Sequence, residues 1–257
     1  MGKHAQLTTS PFFRLPRDCW EIIVQHLSFE ELLSTSTTCR SLRASTERFI
    51  YRDIGWNWTT TIPLRRVLQL LRSILERPDL ASTVENVSLF CSAAPWTRLE
   101  VCDMEGDQEL SLRSFAPVVA KAAGIVQKVQ LSPIEEWIEA LRVGNFYAFV
   151  AVLSSQIPNI TSFCLDYSFL WMGGCPGRMM EHAILLPNRA AVRELPTFDQ
   201  LEKVDYGGNV PMYEEHVPEW NDPIPDYPPV SFNHDQFAGW LHLPALKRLE
   251  IWLRDTV

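Results

Sequence analysis

The chain has 257 residues, of which 46% are hydrophobic and 21% charged, as is typical of a folded protein and not of a disordered one. It contains no apolar run of about 18 residues that could span a membrane, and its start lacks the apolar region of a secretory signal. Residues 1–82 hold 11 Lys and Arg against 8 Asp and Glu, but the remainder hold 12 against 23, and such an acidic body repels nucleic acid.

Residues 1–13 are polar and are predicted to form a flexible arm, and a run of three short helices follows over residues 14–56. Apolar residues spaced at i, i+3, i+4 and i+7, which are Trp20, Ile23, Val24 and Leu27, predict a first helix that begins after Pro16. Ser28 and Glu31 predict a capping box that starts a second helix. A third helix places Leu42, Thr46 and Phe49 on one side and closes near Tyr51.

This stretch resembles the F-box, the three-helix module that joins a substrate receptor to an SCF-type cullin–RING ubiquitin ligase. The resemblance rests on Leu15-Pro16 with Asp18, on Ile23 and Leu27, on Leu32-Leu33, on Cys39-Arg40 before Leu42, and on a fungal-type ending at Tyr51–Ile54. Leu42 departs from the tryptophan that many F-boxes carry there. The resemblance implies contact with a Skp-type adaptor through Leu15, Pro16, Ile23, Leu27, Phe29, Leu32 and Leu33. An ordinary three-helix cap remains the alternative.

Residues 60–257 alternate between helical and strand-like patterns. Pro63 opens a helix with an apolar face that Pro78 stops. Further helices are predicted over residues 112–123, 134–156 and 179–193. A short apolar pattern recurs at intervals of 34 to 45 residues, in copies that begin at Val84, Val126, Ile160, Leu201 and Leu246.

Strand-plus-helix units at such a period indicate a solenoid, and the pattern resembles the leucine-rich repeat. Because the intervals exceed the 20–29 residues typical of that repeat, either the repeats carry insertions or the chain forms an irregular α/β array with a looser likeness. Chance recurrence of the pattern is the alternative. The predicted fold class is therefore α/β, an F-box followed by an irregular leucine-rich-repeat-like solenoid. The residues predicted to lie on its polar strand face are Glu85, Asn86, Ser88, Lys128, Gln130, Thr161, Ser162, Glu202, Lys203, Asp205, Lys247, Arg248 and Glu250. No polar capping unit follows the last copy, which leaves open a truncated chain.

Two stretches interrupt the alternation of helical and strand-like patterns, and neither carries a recognisable active site. Residues 93–110 are predicted to form an acidic surface loop, and residues 207–230 a proline-rich loop with interleaved aromatic residues. The glycine-rich segment 173–177 is interpreted as a turn, and no phosphate-binding or nucleophile motif occurs. His234, Asp235 and His242 lack the spacing of a metal site. We therefore expect no catalytic residue, no metal and no cofactor.

The six cysteines, at 19, 39, 91, 102, 164 and 175, form no C-x-x-C pair, which favours a reducing compartment, cytoplasmic or nuclear. The sequence predicts a non-catalytic receptor that binds a Skp-type adaptor and, through it, cullin, and that holds a protein substrate without binding nucleic acid or membrane. One alternative is a repeat scaffold with a helical partner-binding cap, outside any ligase. Another is an enzyme with an unfamiliar site near Glu214 and Glu215 in the proline-rich loop.

Overall fold

The computed structural model describes residues 15–59, 62–91, 112–171, 173–185, 195–207 and 235–251. The chain divides into two compact units, residues 1–53 and 54–257, so the division falls slightly before the end predicted for the helical module. The predicted arm, the acidic loop at 93–110 and nearly all of the proline-rich loop lie outside the described residues. No described helix is long and apolar enough to cross a membrane.

The first unit contains three helices, as the apolar spacing predicted. They are α1 (Arg17–Gln25), α2 (Phe29–Thr38) and α3 (Arg40–Arg52). A single extended residue, Cys39, separates α2 from α3, and its carbonyl accepts the Arg43 N–H at 3.0 Å. Because the linker is so short, α2 and α3 must turn sharply against each other, and they pack side by side.

The second unit combines helices with a five-stranded sheet. Its strands are β1 (Asp53–Trp58), β2 (Asn86–Cys91), β3 (Ser162–Leu165), β4 (Lys203–Tyr206) and β5 (Arg248–Ile251). Its helices are α4 (Leu64–Glu76), α5 (Pro78–Ala81), α6 (Ala116–Lys128), α7 (Ile134–Arg142), α8 (Phe146–Ser154), α9 (Ser168–Trp171), α10 (Cys175–Leu185) and α11 (Asp235–Leu241). The helix predicted from Pro63 is confirmed as α4, although Pro78 then begins α5.

The strands lie side by side in the order of the sequence, and β2 to β5 are parallel. Four of the five predicted apolar copies are confirmed as strands, and their equivalent positions pair directly. One row across the sheet is Val87, Phe163, Val204 and Leu249, and a second is Leu89, Leu165, Tyr206 and Ile251. In β2 to β4 these side chains are nearly fully buried, and they form the inner face of the sheet.

The predicted strand at Val126–Leu131 is wrong, because these residues end helix α6. The Leu131 N–H donates to the Val126 carbonyl at 3.1 Å, and the Gln130 N–H donates to the Gln127 carbonyl at 3.2 Å. Gln130 has φ +54°, so the bonds and the left-handed residue together make a Schellman motif. Such a motif brings together the apolar residues that flank it, here Val126 and Leu131, both buried. The end of a helix can therefore produce the same apolar spacing as a short strand.

Two predicted helices have different limits in the structure. The run predicted over 134–156 is broken into α7 and α8 at Gly144, which has φ +82°. Asn145 then caps α8, because its side-chain oxygen accepts the Ala148 N–H at 3.0 Å. The run predicted over 179–193 begins earlier, at Cys175, and its described part ends at Leu185.

The left-handed conformation of Gln130 gives a stability test. The αL region costs a non-glycine residue roughly 1–2 kcal/mol and costs glycine little, so we expect Gln130→Gly to raise the free energy of unfolding by about 0.5–1 kcal/mol. Gln127→Gly is the matched control, since Gln127 is also exposed but lies within the helix, where glycine costs about 1 kcal/mol. Denaturant unfolding measures both, and a loss of stability in both variants would contradict the assignment.

Candidate functional site

The first unit leaves large apolar side chains exposed to solvent. Among the described residues eight large hydrophobic side chains are exposed, and five of these lie between positions 15 and 33. They are Leu15, Ile22, Ile23, Phe29 and Leu33. Single exposed hydrophobic residues are ordinary, but their concentration here makes this stretch the candidate binding surface of the first unit.

On helix α1 the apolar residues divide between the interior and the surface. Val24 is fully buried and Trp20 is half-buried, whereas Ile23 is 41% exposed. Ile22 is 57% exposed and lies about 200° around the helix from Val24. Ile22 is not among the predicted site residues, because it lies outside the amphipathic face on which that prediction rests. The sequence signal that could have identified it is an isoleucine on the otherwise polar side of the helix.

On helix α2, Phe29 and Leu33 are one turn apart and both are exposed. The capping box fixes where this helix begins and so where Phe29 lies. The Ser28 N–H donates to Glu31 Oε2 at 2.7 Å, and the Glu31 N–H donates to Ser28 Oγ at 3.3 Å. The bond from the Ser28 backbone lowers the pKa of Glu31, so the carboxylate stays ionised beside the positive end of the helix.

The structure divides the seven predicted adaptor-contact residues by exposure. Leu15, Pro16, Ile23, Phe29 and Leu33 are exposed, and Leu27 is half-buried. Leu32 is only 7% exposed, so in this structure it packs in the interior of the chain, whereas its neighbour Leu33 points to solvent. An ion pair between Glu21 and Arg48 links α1, which holds Ile23, to α3.

This helical unit coincides with a known domain. Residues 12–51 match the family model of the F-box domain. F-box domains bind Skp-type adaptors, and F-box proteins are typically non-catalytic subunits of SCF ubiquitin ligases. No curated protein and no solved structure gives a significant match to the chain.

The second unit presents a polar surface on the sheet face opposite the buried rows. One row consists of Asn86, Ser162, Lys203 and Arg248, and the next of Ser88, Cys164, Asp205 and Glu250. Two ion pairs lie at the β5 side of this face, Lys247 with Glu202 at 2.8 Å and Arg248 with Glu250. Lys128 and Gln130 were wrongly predicted to belong to this face, since they lie at the end of α6.

The glycine-rich segment 173–177 is more than a turn, because α10 begins within it at Cys175. The space beside Gly177 is filled, since a Cβ there would lie 2.1 Å from the Gln236 carbonyl oxygen. The Gln236 side chain in turn accepts the Tyr206 hydroxyl at 3.0 Å. Burial raises the pKa of the Cys175 thiol to about 11, which keeps this sulfur protonated at neutral pH. The segment is therefore a closely packed junction of α10 and α11.

Asp166, directly after β3, is a buried carboxyl group that ties two strand ends together. Its Oδ2 accepts the Cys91 N–H at 2.5 Å, and its Oδ1 accepts the Ser168 N–H at 2.6 Å. Burial raises the pKa of Asp166 to about 6, although hydrogen bonds from Ser168 and Cys91 oppose the shift. The described residues contain no cluster that could hold a metal ion, and of the predicted histidine group only the exposed His242 has a described side chain.

Leu32 and Leu33 provide a matched pair for the packing of the helical unit. We expect Leu32→Ala to lower local stability by about 2–5 kcal/mol, because it removes a buried side chain. Leu33→Ala should change it by less than about 0.5 kcal/mol. Native-state hydrogen exchange of the α2 and α3 amides in the full chain measures both. Equal losses of protection in the two variants would contradict the assignment of Leu32 to the interior.

The raised pKa of Asp166 predicts a pH dependence of stability. An acid whose folded pKa lies above its unfolded value of about 3.8 disfavours folding once it ionises. The free energy of unfolding should therefore fall as the pH rises from about 4 to about 6, by up to about 3 kcal/mol from this group. Urea unfolding between pH 4.5 and 7.5 should show this component in the wild type and not in Asp166→Asn. Parallel pH profiles for the two proteins would refute it.

Proposed function

We propose that the protein is the substrate-recognition subunit of an SCF-type ubiquitin ligase. The observation that carries the proposal is the coincidence of the F-box match at residues 12–51 with a helical unit whose apolar side chains are exposed. The F-box would bind a Skp-type adaptor and, through it, cullin. In this proposal the subunit needs no catalytic residue or cofactor, because a conjugating enzyme that carries ubiquitin and is held by other subunits would transfer the ubiquitin to the substrate.

The mechanism is proximity. A receptor that holds a substrate beside a ubiquitin-charged enzyme converts a bimolecular encounter into an effectively intramolecular one and thereby raises the rate of lysine modification. A cytoplasmic or nuclear location is part of the same proposal, and rests on the cysteine spacing of the sequence, which contains no C-x-x-C pair.

The adaptor interface that we propose centres on Leu15, Ile23, Phe29 and Leu33, with Pro16 and Leu27 beside them and Ile22 added from the structure. Full burial of a large aliphatic or aromatic side chain contributes a favourable free energy of roughly 1.5–3 kcal/mol. Since these residues are already partly covered, each would contribute less than that. Several such side chains together could still exceed the cost of association. Leu32 would support the interface from beneath and not touch the adaptor.

We infer that the second unit holds the substrate on a leucine-rich-repeat-like surface. The sequential order of its parallel strands supports this inference. Three strands also enter the sheet in the same way. The pairs of N–H groups at residues 161–162, 202–203 and 247–248 donate to the carbonyls of Glu85, Thr161 and Glu202 respectively. A bond pattern that recurs at equivalent positions is what a structural repeat produces. The fungal form of the F-box is part of the same proposal and rests on the Tyr51–Ile54 ending.

Co-expression with a Skp-type adaptor tests the proposal. We expect the wild-type chain to co-purify with the adaptor, and Ile23→Asp with Phe29→Asp to reduce recovery at least about tenfold, because two carboxylates would be buried at the interface. Both positions are exposed in the free chain, so the fold should tolerate the change. Val143→Asp with Leu241→Asp is the matched control, since these side chains are exposed to a similar or greater extent but lie in the second unit.

The outcomes separate the candidate functions. Failure of a folded wild-type chain to bind the adaptor would reject the ligase role. Adaptor binding without recovery of cullin in the same complex would favour the scaffold that acts outside a ligase. Equal loss of binding in the control variant would show that the effect is not specific to the F-box surface.

A further inference from the structure

The solvent face of helix α4 carries a concentration of positive charge, although the second unit to which it belongs is acidic, with 16 Lys and Arg against 25 Asp and Glu over residues 54–257. Arg65, Arg66 and Arg72 are all exposed on this helix, and the only acidic residue of α4 is Glu76 at its end. No ion pair joins Arg65 or Arg66 to another residue within the described part of the chain. By contrast, Arg77, Arg142 and Arg248 each pair with a nearby carboxylate.

The arginine face is built on a rigid support. Its helix is strongly amphipathic, and Val67, Leu68, Leu71 and Ile74 are buried on the opposite side. The Arg72 guanidinium lies over the ring of the buried Phe115, 5.4 Å from its centroid, which restricts the side chain without neutralising its charge. A cleft beside it is lined by Arg72, Lys121 and Glu76, together with Ser114 and apolar residues. Lys121 from α6 therefore adds a second cation to the same surface, which the Glu76 carboxylate offsets in part.

We propose that this arginine face, defined by Arg65, Arg66, Arg72 and Lys121, binds an acidic segment of a partner protein. Guanidinium groups bind carboxylates through paired hydrogen bonds, and arginine is the residue best suited to this contact. Arg65 and Arg72 are two turns apart, about 10.5 Å along the helix. In a polyproline II segment, which has three residues per turn and rises 3.1 Å per residue, carboxylates three residues apart lie on one face about 9 Å apart, which is close to that distance.

Charge complementarity selects this partner over the other anionic macromolecules. A nucleic acid would be repelled by the second unit as a whole, because residues 54–257 hold 16 Lys and Arg against 25 Asp and Glu. A membrane surface would require apolar side chains beside the basic residues for stable insertion, and the exposed positions of α4 are Arg65, Arg66, Gln69, Arg72 and Glu76. An acidic protein segment needs only the arginines themselves.

The inference goes beyond the proposed adaptor contact and does not depend on it. The probe is a short fluorescent peptide rich in glutamate, and its control is the same peptide with glutamine at those positions. We expect the full-length chain to bind the first and not the second, with an affinity that falls as salt is added. Arg65→Gln with Arg72→Gln should weaken binding about tenfold.

The matched control is Arg142→Gln with Lys247→Gln, which removes the same charge from exposed positions elsewhere in the second unit and should leave peptide affinity within about twofold. Absence of glutamate-peptide binding by the wild type, or equal weakening in both double variants, would overturn the inference. The inference would also be overturned if the chain bound a single-stranded oligonucleotide through Arg65 and Arg72 but did not bind the peptide. Adaptor co-purification should be unchanged in Arg65→Gln with Arg72→Gln, which separates this result from the test of the proposed function.

Discussion

Parallel pairing of β2 to β5 is the constraint on which the second unit depends. Parallel neighbours cannot be joined by a tight turn, so each strand must be followed by a crossover of a dozen or more residues before the next strand begins. In this chain the crossovers contain the helices α6 to α8, then α9 and α10, then α11. Because the strands are added in sequence order, each crossover advances by one strand, and equivalent residues fall into rows across the sheet.

Those rows explain why the two faces of the sheet differ so sharply in chemistry. Side chains alternate along a strand, so the apolar positions of every copy point to one face and the intervening positions to the other. Phe163 and Val204 are therefore buried side by side, whereas Lys203 and Asp205 lie on the polar face. The interior is supported at the strand ends by Asp166, whose carboxylate satisfies the Cys91 and Ser168 amides. A buried acid at this point stays tolerable because it accepts these N–H groups.

Those parts of the structure that one local signal determines can be predicted from the sequence. The Ser28–Glu31 capping box and the register of the apolar strand positions are of this kind. The strand predicted at Val126–Leu131 is wrong because a Schellman motif and a short strand can share an apolar spacing, and the left-handed φ of Gln130 distinguishes them. Likewise, helical periodicity places Leu32 and Leu33 on the same apolar side of α2. Which of them faces the interior is decided by the packing of α2 against α3, and the sequence does not contain that information directly.

The small interior of the first unit bears on the role of its exposed residues. Of the described side chains between positions 15 and 53, only Val24, Leu32 and Thr46 are buried, and the Thr46 hydroxyl donates to the Leu42 carbonyl at 2.9 Å. A unit of about 50 residues with so few buried apolar groups gains little stability from its own core. A partner that covers Ile23, Phe29 and Leu33 would bind the folded helices and not the unfolded segment. Its binding free energy would therefore add to the stability of the unit, so that the apolar surface needed for recognition would also complete the fold.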